Sequence, residues 1–386
     1  MYKKIKIVMI TSLQPYSNYS RFLCQNIDKN KVDLIVYSEN NKKNLKIENC
    51  GNIKLLLDRS IFIYFRIIKE LLNDKPDIVH LQYELNMYGG IFVNLIFPFF
   101  LIILKILRFK VLVTMHSVVD GKIINKDFVK LFRGDNSKIP ASLLKIYFYY
   151  SHFFIAKISN LVIVHTNILK NILSNEYSIS KKKIFVIHMG VPIMFDKYKN
   201  NNKNYFFYFG YIVRRKGLEN MILGFKKFLD KSKNNKRFKL LLSGGVIKGQ
   251  EFAKTEFQNL IKKINVKNNV KLLGFLDKDE IHEYCRNAYS CVMPAVITIS
   301  ASGPLSMVFG HGKLCIASKV GNFKEEIIHM HDGYLIANNK WDKAFEYVAN
   351  NKKFVIKAEK NVKIKALERS WANAACKNIK IYEKLL

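Results

Sequence analysis

The sequence predicts an α/β protein of two Rossmann-like units, each with a parallel sheet, facing each other across a cleft. Three observations carry this. Short β-rich runs alternate with helical stretches through the first half, a polar stretch without apolar periodicity follows near residue 200, and the same alternation then restarts. At 386 residues the chain has room for two or three domains of ~150 residues.

Taken in order, residues 5–11 read as a strand, 20–28 as a helix, 32–37 as a strand and 62–73 as a helix. Residues 77–82, 111–116, 161–165 and 184–187 read as further strands. Apolar strands separated by helices imply crossover connections, which line the strand C-terminal ends along one edge, where ligands usually bind. Residues 197–204, rich in Asn and Lys, read as a linker. Beyond it come a strand at 205–209, a helix at 218–229, a strand at 238–242 and a helix at 252–264. Strands at 270–272, 290–293 and 314–317 complete the second set.

The segment from Ile91 to Leu107 is 17 residues long and almost wholly apolar, with Asn94, Pro98 and Lys105 inside it. A spanning helix needs ~20 such residues, so this one reads as a helix between two strands. Either it is buried, or it also dips into a bilayer surface with Lys105, Arg108 and Lys110 at the headgroups. A second apolar and aromatic stretch, 143–156, either extends that patch or belongs to the core. Lys and Arg total 64 against 30 Asp and Glu, leaving a net charge of +34. Such an excess attracts polyanions: nucleic acid, anionic lipid or phosphorylated substrates. An AT-rich coding sequence, which crowds a chain with Lys, Asn and Ile, accounts for it equally well. No RRM, KH, zinc-finger or helix-turn-helix signature is present, so no specific nucleic-acid partner is expected. The six cysteines are scattered without zinc spacing and read as reduced thiols in a cytosolic protein. The apolar run 7–10 is too short for a signal-peptide core of ~7–15 residues.

Three segments carry candidate chemistry. Gly210, after a strand, permits a tight turn, and Arg214, Arg215 and Lys216 follow it just before a helix N-terminus, so cations and backbone donors converge in a way that suits a diphosphate. Ser302, Gly303, Pro304 and Leu305 open another helix, with Ser302 fitted to the N-cap and Pro304 to the first turn, and their amides are expected to point into the cleft. In the first unit His80, Gln82 and Glu84, then Gly89 and Gly90, and later His116, stand at or just after strand ends. Neither a Ser–His–Asp arrangement nor metal-ligand spacing is visible, which argues against hydrolase and metalloenzyme readings.

The ordered set HLQYE, GG, VTMHSV, LVIVHT, KIFVIHMGVP, FGYIVRRKGLENMI, LLLSGG, VKLLGFL, SGPLSMVFGHGKLCIASKVGNFKEEI and DGYLI resembles a family 4 retaining glycosyltransferase over nearly the whole chain. The closing RSWANAACKNIKIYEKLL resembles that family's C-terminal helix pair. The resemblance implies the GT-B fold: an N-terminal acceptor domain over 1–192, a linker over 193–204, a nucleotide-sugar domain over 205–365 and a C-terminal helix over 366–386 crossing back to the first domain. It implies a hexose donor in the form of a nucleoside-diphosphate sugar, no other cofactor and no metal. The acceptor is expected to be a lipid-linked or surface-polysaccharide glycan. The place of action is expected to be cytoplasmic, peripheral on an anionic inner membrane face.

By the same resemblance Lys216 binds the donor diphosphate, with Arg214 or Arg215 as its companion, and Gly210 with Ser302–Leu305 completes the donor site. His116 meets the transferred sugar or its acceptor, and His80, Gln82, Glu84, Gly89 and Gly90 lie on the acceptor side. Most members carry two glutamates eight positions apart, which fall here near Ile299 and Met307, counting back from Gly312. Neither side chain accepts a hydrogen bond. Some members carry a serine–glycine variant that SGPL resembles, and the alternative expectation is a catalytically impaired partner or scaffold.

Overall fold

The strands are runs of Val, Ile, Leu and Phe buried on both faces, as parallel sheets covered by helices require. The computed structural model describes residues 3–13, 18–39, 50–85, 87–134, 137–195, 202–247 and 250–386. Its first unit runs β1 (Ile5–Ile10), α1 (Asn18–Asn26), β2 (Val32–Glu39), β3 (Asn52–Leu57), α2 (Ile63–Asp74), β4 (Ile78–Tyr83) and α3 (Ile91–Ile106). It continues through β5 (Lys110–Met115), α4 (Lys126–Arg133), α5 (Ala141–Ile158), β6 (Leu161–Val164), α6 (Asn167–Asn175) and β7 (Ile184–Val186). The seven strands are all parallel, in the order β3-β2-β1-β4-β5-β6-β7.

The second unit runs β8 (Tyr205–Phe209), α7 (Leu218–Lys231), β9 (Lys239–Ser243), α8 (Phe252–Lys263), β10 (Val270–Gly274), α9 (Lys278–Asn287) and β11 (Ser290–Met293). Then come α10 (Gly303–Gly310), β12 (Cys315–Ser318), α11 (Phe323–Glu326), β13 (Gly333–Ile336), α12 (Trp341–Asn350), α13 (Lys352–Glu368) and α14 (Trp371–Leu385). Its six strands are also parallel, ordered β10-β9-β8-β11-β12-β13. Both orders reverse once, between β1 and β4 in one sheet and between β8 and β11 in the other. Such reversal points open a crevice at the strand C-termini. The candidate segments follow β4, β5, β8 and β11, so the topology brings them to these crevices.

Two strands escape the sequence reading. β3 and β13 are edge strands, half of whose ladder is unpaired. Their short runs, NIKLLL and GYLI, lack the continuous apolar signal of a central strand. The closing segment read as a helix pair forms one helix, α14, which follows α13 after two residues. Trp371 and Tyr382 of α14 are buried with Ile7, Met9 and Leu23 of the first unit. Of the linker expectation, residues 196–201 lie outside the described residues. Before them, Met194 and Phe195 both donate their N–H to the Gly310 carbonyl, at 2.8 and 3.1 Å.

The two units also touch directly. Ser117 and Ser300 form an antiparallel bridge, and Val118 N–H donates to the Ile299 carbonyl at 3.0 Å. Ile297 and Ile299 pack on a first-unit cluster of Val119, Ile124, Phe128, Leu144 and Phe148. The apolar residue at 299 thus has a structural use: it seats the loop after β11 on the opposite unit.

Candidate active site

Two adjoining cavities occupy the junction of the units. The larger, about 560 Å³, is lined by Gly210, Tyr211, Arg215, Lys216, Ser243–Val246, Phe275, residues 297–304 and, from the first unit, Phe132. The smaller, about 380 Å³, is lined mainly by Tyr19, Phe22, Met87, Met189, Met307 and Trp371, together with Glu84, His116 and Ser306. Phe209, Ser300, Ala301, Gly303 and Pro304 line both, so the cavities meet at the start of α10.

The turn after β8 owes its path to glycine. Gly217 sits at φ +67°, where a Cβ would collide with the Pro294 carbonyl at the end of β11. This close approach seats the Arg214–Lys216 turn against the neighbouring strand. Left-handed backbone and a carbonyl clash each oppose a side chain. The Gly217→Ala variant is expected to lose about 1–3 kcal/mol of stability, read by chemical denaturation; an unchanged midpoint would refute it.

Lys216 is held on the cavity wall with its pKa depressed to about 8, first by burial and then by the neighbouring Arg215. Arg215 lines the same cavity, stacks over Phe132 of the first unit (5.2 Å to the ring centroid), and is likewise shifted down by burial. Burial disfavours the charge on both groups, Arg215 adds to it at Lys216, and Glu84 with the Tyr208 and Tyr211 hydroxyls acts the other way on Arg215. Arg214 points elsewhere. Its guanidinium pairs with Glu256 (2.5 Å) and lies 4.9 Å from the Phe252 ring centroid, at a separate depression on α8. Of the two arginine alternatives, Arg215 is the one beside Lys216 in the cavity.

At α10 the Ser302 side chain caps the helix, accepting from Leu305 N–H at 3.2 Å, and Pro304 has no N–H to give. The expectation of several free amides therefore narrows. Leu305 is buried with its N–H spent on the cap, and Gly303 carries the first-turn N–H that has no partner among the described residues. It lines both cavities.

The acceptor-side set also contracts. His80 and Gln82 are fully buried and cannot reach a ligand. Gly90 caps α3 and Gly89 packs on Val93, outside both cavities; both accept from the Asn94 side chain, at 3.0 and 3.2 Å. Glu84 remains, lining the smaller cavity, accepting from Ser117 Oγ at 2.8 Å, with a pKa raised by burial and the Arg215 charge acting the other way.

His116 lines the smaller cavity edge-on to Tyr19 (ring centroids 4.6 Å apart), but both its nitrogens face inward. Nδ1 lies 3.0 Å from His165 Nε2, and His165 Nδ1 lies 2.9 Å from the Ile187 carbonyl. On its other side, Nε2 lies 3.0 Å from the Gln82 amide, whose far end is 3.1 Å from His80 Nε2. His80 Nε2 is also 2.8 Å from Thr114 Oγ1, and His80 Nδ1 is 2.8 Å from the Tyr382 hydroxyl on α14. Burial pushes the histidine pKa values far down, to about 3 for His80 and about 4 for His165, so each ring is neutral with one proton.

The Ile187 carbonyl only accepts, and that fixes every proton in the chain. His165 carries its proton on Nδ1 and receives one from His116 Nδ1–H. His116 Nε2 is then bare and needs a donor, yet Gln82 is placed with Oε1 at His116 and Nε2 at His80. A half-turn of the amide, whose two ends are nearly isosteric, sets its NH₂ toward His116 and its carbonyl toward His80 Nε2–H. His80 Nδ1 accepts from Tyr382 O–H. Every hydrogen bond runs one way, from α14 to β7. Sequence reading missed Thr114, His165 and Tyr382, although His165 ends its strand as His116 ends its own.

Two parallel-sheet units with facing reversal points and a basic, donor-rich cavity between them define a glycosyltransferase of the GT-B class. The comparisons agree: residues 17–194 match the family model for Glycosyltransferase Family 4, and 192–365 match that for Glycosyl transferases group 1. The chain belongs to the family 4 glycosyltransferases. No curated protein matches it in sequence. Among solved structures, Anabaena HepE in complex with UDP is 12% identical, with a TM-score of 0.72 over 98% of this chain and 100% of that one. A glycosyltransferase from Rickettsia africae is 17% identical, with a TM-score of 0.70 over 100% and 99%. WaaG, a glycosyltransferase involved in lipopolysaccharide biosynthesis, is 13% identical, with a TM-score of 0.66 over 98% and 99%.

Proposed function

We propose that the protein is a retaining hexosyltransferase. It moves a hexose from a nucleoside-diphosphate sugar to a lipid-linked or surface-polysaccharide glycan, with no metal of its own. One observation carries this reading: Lys216, Arg215 and the Gly303 amide converge on one cavity that adjoins a second, aromatic one. As the sugar–phosphate bond breaks, the leaving diphosphate gains negative charge and the sugar gains oxocarbenium character. Fixed cations and an oriented amide stabilise that charge without reorganising at the moment of reaction. Lys216 and Arg215 supply the positive charge that a divalent ion supplies in metal-dependent transferases.

The smaller cavity is the acceptor pocket in this reading. Tyr19, Phe22 and Trp371 offer flat apolar faces for sugar rings, and Glu84 accepts a hydrogen bond from an acceptor hydroxyl. His116 serves as a neutral wall of this pocket, held by its two internal hydrogen bonds, and acts on neither proton of the reaction. UDP-glucose is the first donor to test, since HepE has been solved with it.

The test incubates the purified protein with UDP- and GDP-hexoses and follows donor-dependent thermal shift and nucleotide release. Stabilisation by one donor, weakened but kept in Lys216→Ala, together with release that a glycan acceptor stimulates in the wild type and that this variant largely loses, is expected. Binding without any release across acceptors would favour a non-catalytic, sugar-nucleotide-binding scaffold. No binding of any nucleotide-sugar would sink the reading.

A further inference from the structure

An α-helix packed on a sheet normally buries one stripe and presents polar residues on the other. α3 does not. Val93, Phe97, Leu101 and Leu104 are buried, yet the opposite stripe is equally apolar. It shows Phe92 (72% exposed), Phe99 (59%) and Ile106 (72%) at spacings of seven residues, with Leu95, Ile96, Ile102 and Ile103 exposed between them. From 92 to 106 this stripe runs about 21 Å. Two neighbouring helices extend it. Tyr150 of α5 donates to the Leu95 carbonyl (2.9 Å), and Tyr64 of α2 donates to the Val93 carbonyl (2.9 Å). α5 adds exposed Leu143 and Ile146, and the start of α2 adds Phe62 and Phe65. No helix of the described residues is long and apolar enough to cross a membrane.

On α3 and α5 the charges have one sign, while the carboxylates beside α2 are already paired, Asp58 with Arg66 and Glu70 and Asp74 with Lys54. Neither α3 nor α5 contains an acidic residue. At the C-terminal end of α3, Lys105 donates to Asn160 at 2.9 Å, and Lys183 donates to the carbonyl of Lys157, so three ammonium groups gather beside the apolar stripe. Burial first, and then the Lys157 and Lys105 charges, depress the Lys183 pKa to about 8. Pairing this face with a second copy of itself would bring two such clusters together with no carboxylate on α3 or α5 to offset them. An anionic bilayer meets both features at once, taking the apolar stripe below the headgroups and the lysines at phosphate level.

We propose that the α3–α5 face docks flat on an anionic lipid surface. α3 begins seven residues after Glu84, so docking sets the acceptor cavity at the membrane edge. The inference rests on the lipid-linked reading of the acceptor for its purpose, but vesicle binding is measured with neither donor nor acceptor present.

Full-length protein is floated with phosphatidylcholine vesicles and with vesicles of phosphatidylcholine and phosphatidylglycerol, beside a Phe92→Ser/Phe99→Ser/Ile106→Ser variant and a Lys105→Gln/Lys157→Gln variant. All substituted apolar side chains are exposed, and donor-dependent thermal shift reports whether the fold and donor site persist. Wild type is expected to float with anionic vesicles and to partition at least about tenfold less onto neutral ones. The triple variant is expected to lose at least about tenfold on both, and the lysine variant to lose its preference for anionic lipid. A wild type that stays unbound on anionic vesicles, or a triple variant that floats like wild type, overturns the proposal. So does a lipid-free wild-type dimer that the triple variant converts to monomer, which would assign the face to a second copy.

Discussion

Replacing Lys216 with alanine is expected to lower kcat by roughly 10²–10³, or about 3–4 kcal/mol of barrier, with a smaller rise in donor KM. The split follows from when the charge develops. A ground-state nucleoside diphosphate is already anionic, and Arg215 and the Gly303 amide still hold it. The charge added as the sugar departs has lost its nearest cation. A variant that raises donor KM but leaves kcat intact would reassign Lys216 to ground-state binding.

The depressed pKa makes the same residue a pH probe. In the free protein Lys216 titrates near 8, and a bound diphosphate favours its charged form, so donor binding takes up a proton above that pH. Affinity for UDP is therefore expected to be level below about pH 8 and to weaken about tenfold per unit above it. Calorimetry in buffers of different ionisation enthalpy reads the proton directly. In Lys216→Ala this dependence disappears. For folding the sign is separate: a lysine whose pKa is lowered on folding binds fewer protons than in the unfolded chain, so between about pH 8 and its ordinary value near 10.5 its contribution to stability improves as pH rises.

The fold was legible because period and punctuation agree: apolar strands, helical spacings and a polar break near residue 200 each point to two parallel-sheet units. The glycine and cations after β8 were legible for the same local reason. Other features needed the third dimension. Arg214 and Arg215 are adjacent and chemically identical. What separates them is Glu256 and Phe252, forty residues away on α8, which draw one out of the cavity. Strand alternation says that His80 and Gln82 share a face of β4. It does not say that α14, three hundred residues later, covers that face and turns two apparent cleft residues into buried ones. Ile299 reads as a missing glutamate, while the structure seats it in the opposing unit.

The histidine chain makes the second large prediction. His80, His116 and His165 are neutral when folded and have ordinary pKa values near 6.5 when unfolded, so the unfolded chain binds more protons below that value. Each costs about 1.4 kcal/mol per pH unit as pH falls from about 6 toward 4, and three together cost roughly 4 kcal/mol per unit. The protein is expected to hold its stability above pH 7 and to lose it steeply below 6, measured by urea unfolding across that range. Gln82→Met isolates the amide: it leaves His116 Nε2 buried without a donor, at about 1–3 kcal/mol, while Thr114 still serves His80. Gln82→Glu is the sharper probe, because a carboxylate only accepts. His116 would then take a second proton at a higher pH than in the wild type, where burial and His165 hold its pKa well below the ordinary histidine value. Nitrogen-15 spectra of labelled histidine should find wild-type His116 protonated on Nδ1 and His80 on Nε2. The opposite tautomers would refute this proton order, since the Ile187 carbonyl has no proton to give.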